Sequence, residues 1–327
     1  MHDGSEARAS ACGLGAGGLM RVLIVKTSSM GDLIHTLPAL TDAARAMPGI
    51  RFDWVSERGF AEIPHWHASV DDVIVSQLRQ WKKAPISSWF SNDYMAFRAA
   101  LSSTPYDAVI DAQGLIKSAW LIARLAHGEV HGYDRRSARE SLAAYTYNYT
   151  YAVPKAMHAV ERTRQLFAQS LGYEVTGAAD AGLGVGGASS NEIWLVHGTS
   201  RADKEWPEAS WRALAAQLSN AGFRLNIPAG SDVEVGRAER IGSGLNATVW
   251  ALRSLTDIKQ SMAEAHAVVA VDTGLAHLAD ALERPLVMLF GPTDPGLVGP
   301  KASTSRLLRA DTMDALGASD VLEALNV

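Results

Sequence analysis

Asp272, Thr273 and Gly274 form a short run whose residue types could bind an anion. The run follows the apolar stretch Val268–Val271, which predicts a buried strand, and precedes leucines at helical spacing in Leu275–Leu282. A helix that begins here points N–H groups at a ligand, and a glycine lets an anion approach the backbone. The pattern therefore indicates phosphate binding, although Asp272 and Thr273 are equally good residues for a simple helix cap.

A second strand, loop and helix near the start of the chain carries a carboxylate. The apolar run Val22–Val25 predicts a strand, and the loop Lys26–Asp32 leads into a helix. This loop contains neither the glycine fingerprint of nicotinamide dehydrogenases nor a P-loop motif, which counts against both classes of protein. The dipole of the helix favours an ionised Asp32, so this residue is either a base or a helix cap.

The second half of the chain offers further groups for a nucleotide diphosphate. Thr199 and Ser200 follow the predicted strand Ile193–Val196, and Lys204 lies where the same loop reaches a helix. A lysine at this position suits phosphate neutralisation, although an ordinary surface lysine is equally compatible. Glu234 follows the next predicted strand and could bind ribose hydroxyls, by analogy with nucleotide-binding βαβ units.

Cations in the first half indicate an anionic partner or a solvated face. Arg79, Lys82 and Lys83 flank Trp81, and a combination of cations with an indole suits an anionic amphiphile. A second basic cluster that includes Arg139 precedes several tyrosines. Two histidines near residue 65 lack a third ligand in the sequence, so no metal site is expected.

Composition and pattern predict a two-domain α/β protein. The chain has 327 residues, 47% of them hydrophobic, and its single cysteine, Cys12, excludes an intrachain disulfide framework. The net charge of −5 gives no reason to expect nucleic acid, and no apolar run is long enough to span a membrane. A reducing compartment fits this composition. The alternation of strands and helices predicts two doubly wound, Rossmann-like parallel sheets that face each other across a cleft.

The domain boundaries follow from changes in composition. Residues 1–19 are rich in Gly, Ala and Ser and are expected to be a disordered extension. Residues 20–176 form the first predicted domain, the Gly-rich residues 177–191 a linker, and residues 192–327 the second domain with a closing helix. One domain would bind an acceptor and the other an activated donor. A carboxylate at Asp272 would receive sugar hydroxyls, which points to a sugar nucleotide.

Four motifs resemble one known family. Lys26–Leu40, Asp111–Ser118, Val271–Leu278 and Gly291–Gly296 occur in the order found in the lipopolysaccharide heptosyltransferase I family, and the resemblance extends from Met20 almost to the C-terminus. It implies a GT-B fold and an inverting, metal-independent transfer of L-glycero-D-manno-heptose from ADP-heptose to the first Kdo of Kdo2-lipid A. It also implies a cytoplasmic enzyme without a cofactor, peripheral to the inner face of the inner membrane.

The resemblance assigns roles to individual residues. Asp32 matches the family's general base, and Lys204 matches the residue beside the donor diphosphate. The other donor-binding positions are Thr199, Ser200, Glu234, Asp272, Thr273, Gly274 and His277. The acceptor-binding positions are Arg79, Lys82, Lys83, Lys117 and Arg139.

Two departures from the family pattern and three rival functions stay open. Gln80 stands where an arginine is expected, and Ser254 stands where a methionine is expected against the adenine. One rival is a type II heptosyltransferase with a heptose acceptor. Another is a non-catalytic sugar-nucleotide-binding protein, which needs no base. A dehydrogenase is disfavoured by the missing glycine fingerprint.

Overall fold

The computed structural model contains two six-stranded parallel sheets, each covered by helices. It describes residues 19–81, 83, 91–184 and 190–326. The prediction of an α/β protein with two doubly wound sheets is confirmed. Residues 1–18 of the predicted extension and residues 185–189 of the predicted linker lie outside the described residues, so the domain boundaries stay predictions.

The first sheet places the end of its first strand at a topological switch point. Its strands are β1 (Arg21–Val25), β2 (Arg51–Glu57), β3 (Val70–Ser76), β4 (Ala108–Asp111), β5 (Val130–Tyr133) and β6 (Tyr149–Tyr151). They lie in the order β3-β2-β1-β4-β5-β6, and every pair is parallel. The order reverses between β1 and β4, and ligands of open α/β sheets bind at the carboxyl ends of such strands.

The second sheet repeats this arrangement. Its strands are β7 (Glu192–Val196), β8 (Arg224–Ala229), β9 (Ala247–Ala251), β10 (Ala267–Val271), β11 (Leu286–Phe290) and β12 (Ser305–Arg309). They lie in the order β12-β11-β10-β7-β8-β9, again all parallel. The switch point lies between β7 and β10, so the loops after these two strands are the natural ligand contacts of this domain.

Helices connect successive strands on both faces of the sheets. In the first domain the described α-helices are Met30–Ile34, Leu37–Ala46, Leu78–Trp81, Asn92–Ser103, Ile116–Leu121 and Ala159–Leu171. In the second domain they are Glu208–Asn220, Asp232–Gly242, Leu255–Met262, Gly274–Ala281, Pro295–Val298 and Ala318–Leu325. None of the helices in the described ranges is long and apolar enough to cross a membrane.

The sequence prediction missed three strands and misplaced two helix starts. β5 and β6 have only four and three residues, and all three strands contain polar residues that hide the apolar pattern. The apolar spacing of Val160, Leu166 and Leu171 predicts a helix from Lys155 to Leu171. The helix begins at Ala159 instead, because the His158 Nδ1 atom accepts a hydrogen bond from the Val160 N–H and caps it. The sequence also predicts a closing helix from Ala315 to Leu325, and this helix begins at Ala318.

The two domains contact each other beside the cleft. The Trp66 indole donates a hydrogen bond to the Thr256 hydroxyl at 3.1 Å, and the Thr256 N–H donates to the Glu62 carboxylate at 2.8 Å. A third contact between the domains joins the His158 Nε2 atom and the Gly299 carbonyl at 2.9 Å. These contacts bring the carboxyl ends of both sheets toward one another and place the predicted site between the domains.

Candidate active site

Asp32 lies in the first turn of the helix Met30–Ile34, directly after the loop that leaves β1. Its carboxylate accepts hydrogen bonds from the Ser29 N–H at 2.8 Å and from the Ser29 hydroxyl at 3.1 Å. The N-cap residue is Ser29, and Asp32 accepts its N–H from the third helical position in a capping box, so Asp32 contributes to the cap without being the N-cap itself. The Asp32 side chain is 30% exposed and lines the cleft, which leaves it able to reach a substrate.

A buried lysine stands beside Asp32. The Lys26 ammonium lies 3.8 Å from the Asp32 carboxylate and donates a hydrogen bond to the Ala112 carbonyl at 2.9 Å. Burial alone would raise the pKa of Asp32, but the charge of Lys26, the Ser29 hydrogen bonds and the charge of Arg139 together hold it below the ordinary value. Asp32 is therefore ionised at neutral pH and can accept a proton.

The loop between β1 and Asp32 is held by hydrogen bonds to the residues that follow β4. The Gln113 side-chain oxygen accepts hydrogen bonds from the Thr27 N–H at 3.0 Å and the Ser28 N–H at 3.3 Å. The buried Asp111 in turn accepts bonds from the Gln113 N–H and the Ser118 hydroxyl. The polar residues after β4 therefore support the geometry of the base, since they lie beneath it.

A cavity of about 250 Å³ opens in front of Asp32 and is rich in cations. Lys155 and Arg162 line it together with Lys26, Arg139 and the Tyr133 ring. The Arg162 guanidinium lies 4.9 Å from the centre of that ring. Such a lining suits an acceptor with several carboxylates or phosphates.

The sequence analysis missed three of these cavity residues as site candidates. Lys26 stood in the first motif, but nothing in the pattern showed that its side chain turns inward. Lys155 and Arg162 belong to the segment that was interpreted as one amphipathic helix, and only the fold brings them to the cleft.

On the opposite side of the cleft, Asp272 forms an ion pair with Lys204. The Lys204 ammonium donates to the Asp272 carboxylate at 2.5 Å, and the exposed fractions of the two side chains are 17% and 6%. Asp272 is thus paired with a cation, and the alternative that it only caps the helix Gly274–Ala281 is wrong. Thr273 occupies the cap position, but within the described part of the chain its side chain accepts no hydrogen bond from this helix.

The remaining donor-side residues surround the same strand ends. The Thr199 hydroxyl donates to the Asp272 carbonyl at 3.3 Å, and Ser200 is exposed in the next position of the loop. The Glu234 carboxylate accepts the Gly230 N–H at 2.7 Å and lies against Gly198, where a side chain would collide with it. The structure therefore gathers hydroxyls, one ammonium and two carboxylates at the ends of β7, β8 and β10.

Two glycines let the helices of the two domains meet in the cleft. A Cβ atom added to Gly31 would lie 2.5 Å from the His277 ring, and one added to Gly274 would lie 2.7 Å from Met30. The close approach at Gly274 is therefore to Met30, whereas the sequence analysis expected an anion there. The consequence is that the helix bearing Asp32 and the helix after Asp272 are in direct contact.

His277 links the two sides. Its ring packs edge-on against His35 with centroids 4.3 Å apart, and its Nε2 atom lies 3.8 Å from the Asp272 carboxylate. Burial lowers the pKa of His277 below its ordinary value, although the neighbouring charge of Asp272 opposes this shift. His277 is a neutral, packed residue at the junction of donor and acceptor sides.

The predicted acceptor cations are placed in different surroundings. Arg139 lines the cavity in front of Asp32. Arg79 and Lys83 line a separate open concavity of about 650 Å³ with Gln80, and Lys82 lies outside the described residues. Lys117 is half-buried in the first turn of the helix Ile116–Leu121.

Trp81 differs from the environment that the sequence suggested, whereas Ser254 starts a helix, as the pattern of Ser254–Asp257 predicts. Trp81 ends the helix Leu78–Trp81 and is buried against Tyr94 and Phe97, so its indole is not available to an amphiphile and that interpretation is wrong. The Ser254 hydroxyl caps the helix Leu255–Met262 by accepting the Asp257 N–H at 3.0 Å.

Among the described residues there is no group of three His, Cys, Asp or Glu side chains that could hold a metal ion. His67, one of the two histidines near residue 65, bonds to the Thr41 hydroxyl at 3.0 Å, and burial lowers its pKa to about 4. It is a packed histidine of the first domain. A metal-independent reaction stays a prediction.

Comparison with known proteins gives one consistent family. A sequence profile of glycosyltransferase family 9 (heptosyltransferase) matches residues 94–317. Lipopolysaccharide heptosyltransferase 1 of Salmonella typhimurium is 51% identical over 288 residues, which cover 86% of this chain and 91% of that protein. The enzyme of the same name from Escherichia coli K12 is 48% identical over 317 residues, which cover 94% of this chain and 99% of that protein.

A solved structure agrees with these relatives. Escherichia coli heptosyltransferase WaaC with ADP superposes with a TM-score of 0.89 at 47% identity, covering 94% of this chain and 99% of that chain. Lipopolysaccharide heptosyltransferase 2 of Salmonella typhimurium matches a shorter part, with 33% identity over 115 residues, 33% of each chain. The two-domain architecture of this chain is that of the GT-B heptosyltransferases, so the predicted GT-B fold is confirmed.

Proposed function

The chain belongs to glycosyltransferase family 9, the heptosyltransferases, and from this premise we propose that it transfers L-glycero-D-manno-heptose from ADP-heptose to the first Kdo of Kdo2-lipid A. This reaction is a step in the synthesis of the lipopolysaccharide inner core. The solved Escherichia coli relative contains ADP, which supports a sugar-nucleotide donor for this chain. The acceptor lipid and a peripheral position at the cytoplasmic face of the inner membrane belong to the same proposal.

One observation supports the proposal most strongly: the carboxylate of Asp32 and the ammonium of Lys204 belong to opposite domains whose helices touch beside the cleft. Asp32 lines the cleft from the first domain. In the second domain Lys204 is paired with Asp272, whose carboxylate lies 3.8 Å from the His277 ring. The contact between Gly31 and the His277 ring fixes the two sides at short range. Such an arrangement places a base on one side of a transferred sugar and charge stabilisation on the other.

The proposed step forms one C–O bond, breaks one C–O bond and moves one proton. The acceptor hydroxyl attacks the anomeric carbon of heptose from the face opposite to ADP, and its proton passes to the Asp32 carboxylate. The bond between the anomeric carbon and the phosphate oxygen breaks, and its electron pair leaves with ADP. The configuration at the anomeric carbon is therefore inverted.

The donor side needs charge stabilisation more than an acid. Lys204 is held by Asp272 in the structure, and a bound diphosphate would compete with Asp272 for the same ammonium. Asp272 would then accept hydroxyl groups of the sugar, while Thr199, Ser200 and the start of the helix Gly274–Ala281 face the phosphates. Glu234 is proposed to contact the ribose. In this scheme no cofactor takes part.

The acceptor side presents its cations around the base. Arg139 lies in the cavity with Asp32, and the cavity also contains Lys155 and Arg162. Arg79, Lys82, Lys83 and Lys117 are proposed to bind more distant anionic groups of the acceptor. The cavity residues Lys155 and Arg162 replace none of these cations but extend the basic lining toward the reacting hydroxyl.

An acceptor assay tests the proposal. Purified full-length protein is incubated with ADP-heptose and either Kdo2-lipid A or the same lipid that already bears one heptose, and ADP release and product mass are measured. We expect one added heptose on Kdo2-lipid A and none on the heptosylated lipid. Transfer only to the heptosylated lipid would show a type II enzyme, and donor binding without transfer to either lipid would show a binding protein.

A further inference from the structure

A cluster of large apolar side chains is exposed on one part of the first domain. Of the exposed large hydrophobic residues in the described chain, five fall within residues 116–149, and the cleft chemistry uses none of them. We call four of them, which lie on the helix Ile116–Leu121 and the 3₁₀ turn Ser141–Thr146, the aromatic face: Ile116, Trp120, Leu142 and Tyr145, exposed by 39%, 45%, 56% and 61%. Contiguous exposed apolar patches mark interaction surfaces.

The backbone brings these residues to the same surface. Ile116 and Trp120 are four residues apart in the helix Ile116–Leu121 and therefore share a helix face. Leu142 and Tyr145 are three residues apart in a 3₁₀ turn, where such residues eclipse one another. The helix packs against this turn. The Ile116 N–H also donates to the Glu140 carboxylate at 2.6 Å, which fixes the two segments together.

Arginines accompany the aromatic rings of this face. The Arg124 guanidinium lies 5.0 Å from the centre of the Trp120 ring, and the Arg135 guanidinium lies 4.9 Å from that of Tyr145. Residues 116–149 contain five basic and three acidic residues, whereas the whole chain has a net charge of −5. The face is therefore locally positive on a negative protein, which is the charge complement of an anionic surface.

The face continues into the acceptor side of the cleft. Arg139, which lines the cavity with Asp32, precedes Glu140 and the 3₁₀ turn, and Gly114 approaches the Arg139 backbone. A partner seated on the aromatic face therefore lies next to the cavity entrance. Rings that combine an apolar body with a polar tip, paired with arginines, are suited to the boundary between lipid headgroups and acyl chains.

We propose that the aromatic face docks on the surface of a lipid bilayer with anionic headgroups. This inference rests on the proposed function, because a membrane-borne acceptor is what makes such docking useful to the cleft. The apolar side chains insert at the headgroup boundary, and Arg124 and Arg135 bind headgroup phosphates. Docking presents the acceptor lipid to Asp32 without removing it from the bilayer.

Vesicle binding and a pair of turnover assays test this inference. Full-length protein is mixed with vesicles of phosphatidylcholine alone or with phosphatidylglycerol, and the bound fraction is measured by flotation. The test variant is Trp120→Ala/Tyr145→Ala. The matched control is Val233→Ala/Leu307→Ala, which removes two exposed hydrophobic residues from the other domain. The charge variant is Arg124→Gln/Arg135→Gln.

The expected results separate docking from chemistry. Wild type and the control bind phosphatidylglycerol vesicles, the aromatic variant binds at least about tenfold more weakly, and the charge variant loses its preference for the anionic vesicles. Transfer to acceptor embedded in vesicles falls with binding. Transfer to a water-soluble, deacylated acceptor is unchanged in every variant, which also shows that each variant is folded.

Three outcomes would overturn the inference. The first outcome is that the wild-type protein binds neither kind of vesicle but still transfers heptose to the soluble acceptor. The second is an aromatic variant that binds vesicles as tightly as wild type. The third is that light scattering shows a wild-type dimer and that the aromatic substitutions convert it to a monomer without a change in vesicle binding. The aromatic face would then be an interface between two copies of the chain. Loss of turnover on the soluble acceptor by wild type would instead contradict the proposed function.

Discussion

Each domain places a lysine beside an aspartate at its strand ends, but the two pairs are built differently. In the first domain Lys26 is buried, bonds to a backbone carbonyl and stays 3.8 Å from Asp32, whose side chain is 30% exposed. In the second domain Lys204 bonds to Asp272 directly at 2.5 Å, and Asp272 is nearly covered. The same residue types therefore leave the carboxylate accessible on one side and neutralised on the other.

This difference shows that the distance between the ammonium and the carboxylate, rather than the residue types, decides whether the carboxylate can act as a base. Lys26 lowers the pKa of Asp32 from a distance without occupying its oxygen atoms, so the carboxylate can accept a proton from a substrate. Lys204 forms a charge-assisted hydrogen bond that a phosphate can replace. The first pair suits a base, and the second suits an anion-binding group.

The largest expected effect follows from removal of the accessible carboxylate. Asp32→Asn keeps the shape of the side chain but loses the proton acceptor, and we expect kcat to fall by about 10³-fold, or about 4 kcal/mol in activation free energy. ADP release in the presence of acceptor measures this. The matched control, Asp311→Asn, changes an exposed carboxylate of the second domain and keeps wild-type turnover. An Asp32→Asn variant with normal kcat would contradict the account of the first pair.

Removal of the second cation is expected to have the next largest effect. Lys204→Met eliminates the ammonium that faces the diphosphate, and we expect kcat/KM for ADP-heptose to fall by about 10²-fold. Steady-state kinetics with varied donor measures the change. The control is Arg306→Met, an exposed cation on β12. Donor kinetics that match wild type in Lys204→Met would show that the ammonium serves only its ion pair with Asp272.

The contact between the two regions can be disturbed from either domain. Gly31→Ala places a Cβ atom 2.5 Å from the buried His277 ring, and overpacking of this kind costs about 1–3 kcal/mol of stability. Gly274→Ala places a Cβ atom 2.7 Å from the Met30 Cβ atom, which a change of rotamer cannot move, so we expect a cost of similar size.

Urea unfolding measures both costs, and Gly59→Ala is the control, because no atom of the described residues lies within 4 Å of its added Cβ atom. We also expect Gly31→Ala to lower turnover, since it separates the two helices. Equal stability of Gly31→Ala and Gly59→Ala would show that the domains do not approach at this point.

The smallest expected effect is a shift of the pH–rate profile. Lys26 lowers the pKa of Asp32, so Lys26→Met raises that pKa and the acid limb of the kcat/KM profile moves to higher pH. The position of the limb is the readout, because Lys26 also lines the acceptor cavity and its removal can change the plateau rate as well. Arg240→Met, which removes a surface cation of the second domain, leaves the profile in place. An unshifted limb in Lys26→Met would show that Lys26 does not tune the base.

The sequence predicted the fold and the residues of the cleft better than it predicted their contacts. Apolar runs such as Val268–Val271 are buried from both sides in a parallel sheet, and this made the central strands visible. Strands at the sheet edges, such as β6 and β12, are partly exposed and lack this signal. The site residues were visible because polar residues follow the central strands directly.

The relations between distant segments could not be predicted from the sequence. The pairing of Lys204 with Asp272 joins residues 68 positions apart, and the burial of Trp81 depends on the helix Asn92–Ser103. The fold was also needed to explain why position 274 is a glycine, because Met30, which lies against it, belongs to the other domain. Each of these contacts is set by tertiary packing, which leaves no periodic trace in the chain.

The most direct test of the division between the two pairs is calorimetric titration of ADP-heptose into wild type, Asp32→Asn and Lys204→Met. We predict that Asp32→Asn binds the donor with a dissociation constant within about twofold of wild type, and that Lys204→Met binds about tenfold or more weakly, since it loses a charge-assisted contact. Weakened donor binding in Asp32→Asn together with unchanged binding in Lys204→Met would contradict the assignment of base and anion-binding group to these two residues.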